Sequence, residues 1–227
     1  DQYYAMAHDP VEKVIPRLAI PTIISMMVTS IYNMADTFFV SQISTSASGA
    51  VGIIFSAMSI IQALSFMVGM GSGNFIARSI GAGKREQAEQ IASIAFFTGM
   101  GIGLIIAVFG SLNLTPIVYF LGATPTIAPY AEDYAFYIFL AAPFMICSFI
   151  MNNLLRFQGK AFFAMFGITA GGFINMALDP ILIFGLEMGT AGAALATGIS
   201  QFISFCILVC MCNLRHDCIT IRIKNFK

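Results

Sequence analysis

The sequence predicts an all-α integral membrane protein, a bundle of six transmembrane helices, on three observations. The first is composition. Of the 227 residues 58% are hydrophobic and only 10% charged, whereas a soluble domain carries about 25% charge. With a mean hydropathy of +0.86, such a chain has too few charges to clothe a water-facing surface. The second is a set of six apolar stretches, each meeting the roughly 20 residues that a helix needs to cross the hydrocarbon. The third is the position of the 11 Lys and Arg residues, all of which fall on one side of a path that crosses six times.

The spans, in order, cover 18–40, 49–75, 91–112, 134–155, 162–186 and 191–212. Runs of this length must satisfy their own backbone in lipid, so they are helices. The alternating period of a barrel strand is absent. Lys13 and Arg17 precede the first span, which carries Asp36 and is too long for the apolar region of a cleavable signal peptide. Arg78, Lys84 and Arg85 lie between spans two and three, Arg156 and Lys160 between four and five, and Arg215, Arg222, Lys224 and Lys227 after span six. The opposite loops hold Glu132, Asp133 and Glu187 but no basic residue. The positive-inside rule then makes both termini cytoplasmic, and the expected location is the cell membrane, as a multi-pass protein. A wrong span count would scatter these charges.

Composition also excludes several classes. Eleven basic residues balance 11 acidic ones, so no net positive field attracts nucleic acid. Five cysteines lack the spacing of a secreted disulfide framework and read as free thiols. Cys210, Cys212, His216 and Cys218 are soft ligands near the end of span six, but their spacing is no standard zinc pattern. No zinc or other soft-metal site is therefore expected. The turn at 81–86, Gly-Ala-Gly-Lys-Arg-Glu, lacks P-loop spacing. Gly99 and Gly103 in span three, Gly167 and Gly171 in span five, and Gly189, Ala193 and Ala196 around span six put small residues on single helix faces. In lipid such faces allow close backbone approach.

Two carboxylates interrupt the apolar spans, Asp36 in the first and Asp179 in the fifth. A charge at mid-bilayer costs about 2.5–3.5 kcal/mol on insertion scales, so such residues face a bundle interior or a wet cavity. Asn175 and Asp179 are four apart and share a helix face. Pro180 lacks an N–H, which frees the carbonyl of Met176 one turn back. Carboxylate, amide oxygen and loosened carbonyl together make a hard-oxygen set suited to a cation or a shared proton. Tyr32, Asn33 and Asp36 likewise fall on one side of span one, and no basic residue lies within the spans to neutralise either acid.

These residues carry a family resemblance. Ala19-Ile-Pro21-Thr-Ile-Ile, Tyr32-Asn-Met-Ala-Asp36-Thr-Phe-Phe-Val, Gly81-Ala-Gly-Lys-Arg, Leu155-Arg-Phe-Gln158-Gly-Lys, Asn175-Met-Ala-Leu-Asp179-Pro180 and Gly189-Thr-Ala-Gly-Ala-Ala-Leu-Ala-Thr197 occur in that order. The chain resembles the amino-terminal lobe of the multidrug and toxic compound extrusion (MATE) transporters over essentially its whole length. Phe157 and Lys160 depart from the family's usual cytoplasmic turn. The resemblance implies a two-lobe 6+6 fold around a central cleft, with residues 1–227 as one lobe and the carboxy-terminal lobe as its partner. It implies export of organic cations and amphiphilic drugs, without enzyme activity, driven by Na+ or H+ influx. The positions matching the family's amino-lobe cation site are Asp36, Asn175, Asp179 and Thr197, with Tyr134 and Asn152 as further members of the network. Ion binding there is expected to bend or shift span one, and Pro180 to bend span five. The last residues, 223–227, fall where the family has its interlobe linker, and Asp1 is no initiator Met. The chain is therefore read as one half of a longer transporter.

Three other readings compete. A lipid-linked saccharide flippase of the same superfamily would be expected to offer cationic cavity residues for its pyrophosphate, and the spans contain none. An intramembrane aspartyl protease also uses two membrane aspartates sharing a proton, but its Gly-x-Gly-Asp motif is missing before Asp179. A channel would show a filter sequence, and none is present.

Overall fold

The computed structural model describes residues 9–214, 219 and 221. His8, Arg215, His216, Cys218, Arg222, Lys224 and Lys227 lie outside the described residues. Among the described residues six helices are long and apolar enough to cross a membrane, and there is no strand. They are α1 (Val11–Ser41), α2 (Thr45–Gly81), α3 (Arg85–Leu112), α5 (Ala128–Phe157), α6 (Ala161–Pro180) and α7 (Gly189–Leu214). A short α4 (Leu114–Phe120) joins α3 to α5, and a π-helical segment (Ile181–Gly185) extends α6. Short turns alternate the direction of the long helices. One end of the bundle therefore carries Lys13, Arg17, Arg78, Lys84, Arg85, Arg156 and Lys160, and the other Glu132, Asp133 and Glu187. These are called the basic and acidic ends below.

Local sequence explains the turns. The Ser44 side chain accepts from the Ala47 amide at 3.0 Å and caps α2, supplying a partner to one of the free amides at a helix start. At the basic end Gly83 takes φ +71° between α2 and α3, a conformation that favours glycine. Arg85 then pairs with Glu89 at 3.3 Å, one turn on.

The core forms around α5, which packs against α2, α3, α4, α6 and α7. Ile138, Ile146, Ile150, Met151, Leu154 and Leu155 are fully buried. The α3 glycines bring this about. A Cβ on Gly103 would collide with the backbone of Pro143, on Gly99 with Ile150, and on Gly110 with Phe139. The two helices thus touch along a face that only hydrogen side chains fit. Gly167 and Gly171 do the same for α6 against Leu208, Ser200 and Ser204 of α7.

Gly189 corrects the packing expectation. Nothing lies within 4 Å of its Cβ position, and its φ of +57° shows a turn residue at the entrance to α7. Gly192 makes the close approach instead, since a Cβ there would stand 2.7 Å from the Leu182 carbonyl oxygen. That contact seats the π-helical segment, into which the chain passes directly after Pro180. The helix continues past the proline with wider turns, and the Leu186 amide reaches back five residues to the Ile181 carbonyl at 2.9 Å.

Candidate cation site

Helix α1 reaches the bundle through one stripe. Ser25, Asp36 and Val40 are its buried residues, and Val28 and Tyr32 pack against Gly172 of α6. The spacing 25, 28, 32, 36, 40 is a single helix face. Gly172 makes this seating possible, because a Cβ there would press on Tyr32 at 3.0 Å and Val28 at 3.1 Å. Asp36 thereby enters the interior near the acidic end.

Tyr134, on the second turn of α5, is 1% exposed and donates its hydroxyl to Asp36 Oδ2 at 3.2 Å. The same hydroxyl lies 4.0 Å from Met58 Sδ. Asp179 is fully buried near the end of α6, within electrostatic reach of Asp36 and of Tyr134. One turn earlier, Asn175 donates its amide to Thr197 Oγ1 of α7 at 3.3 Å. Four helices thus bring Asp36, Tyr134, Asn175, Asp179 and Thr197 into the acidic half of the bundle.

Its acceptor balance is incomplete. Asp36 Oδ1, Asn175 Oδ1 and both Asp179 carboxylate oxygens are buried without a protein hydrogen-bond partner. Buried polar atoms are normally satisfied, so each such atom calls for an explanation. Four acceptor oxygens without donors fit a proton or a small hard cation, whose ligands are carboxylate and amide oxygens. Among the described residues no basic side chain hydrogen-bonds either acid.

Asn152 stands apart. It lies near the end of α5, 2% exposed, and donates to the Ala164 carbonyl at 2.8 Å. Eighteen residues of helix, about 27 Å, separate it from Tyr134. Its amide joins α5 to α6 at the basic end. The soft-ligand group also divides: Cys210 is exposed and Cys212 buried, while His216 and Cys218 lie outside the described residues. Sequence reasoning missed Met58, and it missed Ser200, Gln201 and Ser204, which follow Thr197 on its own helix face. Their spacing of three, four and seven was a readable signal. It missed, too, that Arg156 at the basic end donates to Ser25 Oγ of α1 at 3.0 Å.

Six membrane helices enclosing two carboxylates without cationic partners are the arrangement of a membrane-transporter lobe. The MatE family model matches residues 21–181, and the chain belongs to this family, the MATE transporters. The multidrug export protein MepA of Staphylococcus aureus strain MRSA252 is 28% identical over 228 residues, covering 100% of this chain and 51% of the relative. MepA of Staphylococcus haemolyticus is 27% identical, with 100% and 50% covered. A MATE structure in a bent conformation superposes with a TM-score of 0.91 at 30% identity, over 100% of this chain and 51% of the other. A superfamily transporter from Pyrococcus furiosus, described as having a binding pocket of reverse polarity that suggests a different function, gives 0.88 at 30%, over 95% and 48%. The chain spans about half the length of the curated relatives it matches, as the amino-terminal six-helix half of their two-lobe architecture.

Proposed function

We propose that this lobe holds the coupling ion of a transporter that exports organic cations and other amphiphilic drugs by alternating access. Na+ or H+ binds at Asp36, Asn175, Asp179 and Thr197, with Tyr134 as a hydrogen-bonding partner of Asp36. The single observation that carries this reading is the set of unpartnered oxygens on Asp36, Asn175 and Asp179. A proton or cation supplies what they lack. Leaving two such acids charged and unpaired inside a bundle is costly. The lobe lies in the cell membrane with its basic end cytoplasmic and faces a carboxy-terminal lobe across the drug cleft, because rocking of one repeat against another needs both. The export names of the Staphylococcus relatives support the substrate class.

The test is ethidium efflux from cells expressing the full-length transporter, with membrane insertion monitored alongside. Asp36→Asn and Asp179→Asn are each expected to reduce efflux to background at normal insertion. Varying Na+ at fixed pH, then pH at fixed Na+, names the ion. Unchanged efflux in both variants leaves the acids structural and overturns the reading. One observation favours a second reading, a lipid-linked saccharide flippase: Arg156 lies inside the span helix α5, half-buried against α1, where a guanidinium suits a phosphate. Absence of efflux in the wild type, with flipping of such a lipid, would select it.

A further inference from the structure

Helix α7 ends at Leu214, yet by Ile219 the chain is back inside the lobe. Ile219 is 5% exposed and belongs to the apolar core that surrounds α5. Its amide donates to Gln158 Oε1 of the α5–α6 turn at 3.1 Å. Ile221 packs against the second apolar cluster, that of Phe96, Met151, Leu155, Ala164, Leu208 and Cys212. Its amide donates to Asn213 Oδ1, on the last turn of α7, at 3.3 Å. Two residues of one short stretch therefore enter both apolar clusters of the lobe, and they do so at its basic end. The sequence carries a matching alternation: isoleucine at 219, 221 and 223 is interleaved with Thr220, Arg222 and Lys224, the period of an extended chain with one apolar face.

Both amides are satisfied by side-chain oxygens and not by a helix or strand ladder. The attachment is thus specified by Gln158 and Asn213 and by what the isoleucines bury. Cys212 shows what it covers. It stands on the last turn of α7, next to exposed Asn213, yet is 2% exposed within the cluster that Ile221 overlies. We propose that the stretch at Ile219 and Ile221 is a fixed strap, which seals the basic end of the lobe and turns with it as one body. In the full-length transporter the connection to the second lobe then leaves from beside the α5–α6 turn, not from the end of α7. Whatever freedom rocking requires lies beyond Ile221. The docking itself does not depend on the coupling reading; only its part in rocking rests on that reading.

The test uses the full-length transporter in two single-cysteine forms, one keeping Cys212 and the other Cys147, with every other cysteine replaced by alanine. Cys147 lies in the same cluster, fully buried and deeper along α5. Open membrane fragments are exposed to a charged, water-soluble maleimide. Ile219→Ser is expected to speed labelling of Cys212 at least tenfold, and Gln158→Ala severalfold, with Cys147 left slow. Unchanged labelling of Cys212 in both variants would overturn the seal. Equal acceleration at Cys147 and Cys212 would also overturn it, because the lobe would then loosen as a whole and not at its end. Fixity is tested by joining Gln158→Cys to Ile219→Cys with a short bis-methanethiosulfonate that a reductant cleaves. Ethidium efflux should persist while the bridge is in place. Efflux lost on bridging and restored by the reductant would overturn the fixed strap, showing that it releases in every cycle. Because labelling is read chemically, the seal stands or falls separately from the efflux of Asp36→Asn and Asp179→Asn.

Discussion

Helices α1 and α5 are both long, apolar membrane helices of nearly equal length, yet the bundle holds them in opposite ways. Over the most apolar 18 residues of each, 72% of α5 is buried against 6% of α1. α5 is gripped over most of its surface, Leu140 and Phe136 excepted, by aliphatic side chains and by glycines that let α3 touch its backbone. α1 leans on a single stripe, in which the polar groups Ser25, Tyr32 and Asp36 share one face with Val28 and Val40. Most of its Ile, Met and Phe side chains face outward. α1 is also weakened internally. Pro21 removes the amide that would bond the Arg17 carbonyl, and the hydroxyls of Thr22, Ser25, Thr29, Ser30, Thr37 and Ser41 bond carbonyls of their own helix, a habit that bends helices. The difference teaches that one lobe contains both a tightly held helix and a lightly held one, and that the acidic site lies where the two meet. A change in the charge on Asp36 acts on the helix with the fewest other restraints.

The comparison breaks most severely if α5 loses its grip. Gly103→Val places two methyl groups against the Pro143 backbone, which has no side-chain freedom with which to retreat. Overpacking of this kind costs about 3 kcal/mol. For a chain of this size that lowers the melting temperature by roughly 6–12 °C. The midpoint in detergent, followed by loss of helical circular dichroism, checks it. A shift under about 2 °C would show that α3 and α5 slide apart easily and that α5 is not tightly held.

How much of this is legible in the sequence differs between the two helices. The six spans and their alternating direction follow from apolar length and from the basic residues gathered at one end. Asn175 and Asp179 share a face because four residues make about one turn. Thr197 needed the family resemblance, as no local rule ties it to Asn175. The contact between Tyr134 and Asp36 joins residues 98 positions apart. A helical period shows which residues share a face, but not which neighbour that face meets or at what depth. Depth sets Asn152 apart as well: it shares a helix with Tyr134 but lies about 27 Å along it, toward the basic end. Gly189 misled for a related reason, because a glycine at a helix entrance serves either packing or backbone conformation, and only φ distinguishes them.

Two variants sharpen the comparison at the ends of the polar stripe. Tyr134→Phe removes the hydroxyl that reaches Asp36 and leaves a buried carboxyl oxygen without a donor, a loss of about 1–3 kcal/mol. We expect looser seating of α1 at the acidic end, seen as a wider distance distribution between spin labels at Thr37 of α1 and Phe184 of the π-helical segment. Arg156→Gln acts at the opposite end, where the Ser25 contact is half-exposed and is worth about 1 kcal/mol. Labels at Leu18 and Phe162 should broaden there while the acidic-end pair stays sharp. If both ends broaden together in either variant, α1 moves as one rigid rod and the stripe does not act as separate ties.

The smallest effect is expected on the outer face of α1. Ile31 is 52% exposed and stands beside Tyr32, yet Ile31→Ala removes methyl groups that touch little of the lobe. Inside α5 the same deletion at fully buried Ile150 would cost about 2–5 kcal/mol. At Ile31 it should fall within about 0.5 kcal/mol, below what a detergent melt resolves. The pair therefore measures the asymmetry directly, with identical chemistry on two helices of one bundle. A large loss at Ile31 would mean that this face is covered by something the lobe itself does not provide. The same variant, melted in the full-length transporter and in this chain alone, would then tell lobe–lobe packing from lipid. A loss confined to the full-length protein assigns the face to the second lobe, and an equal loss in both assigns it to the surrounding amphiphile, with a repeat in lipid bilayers reporting on the membrane itself.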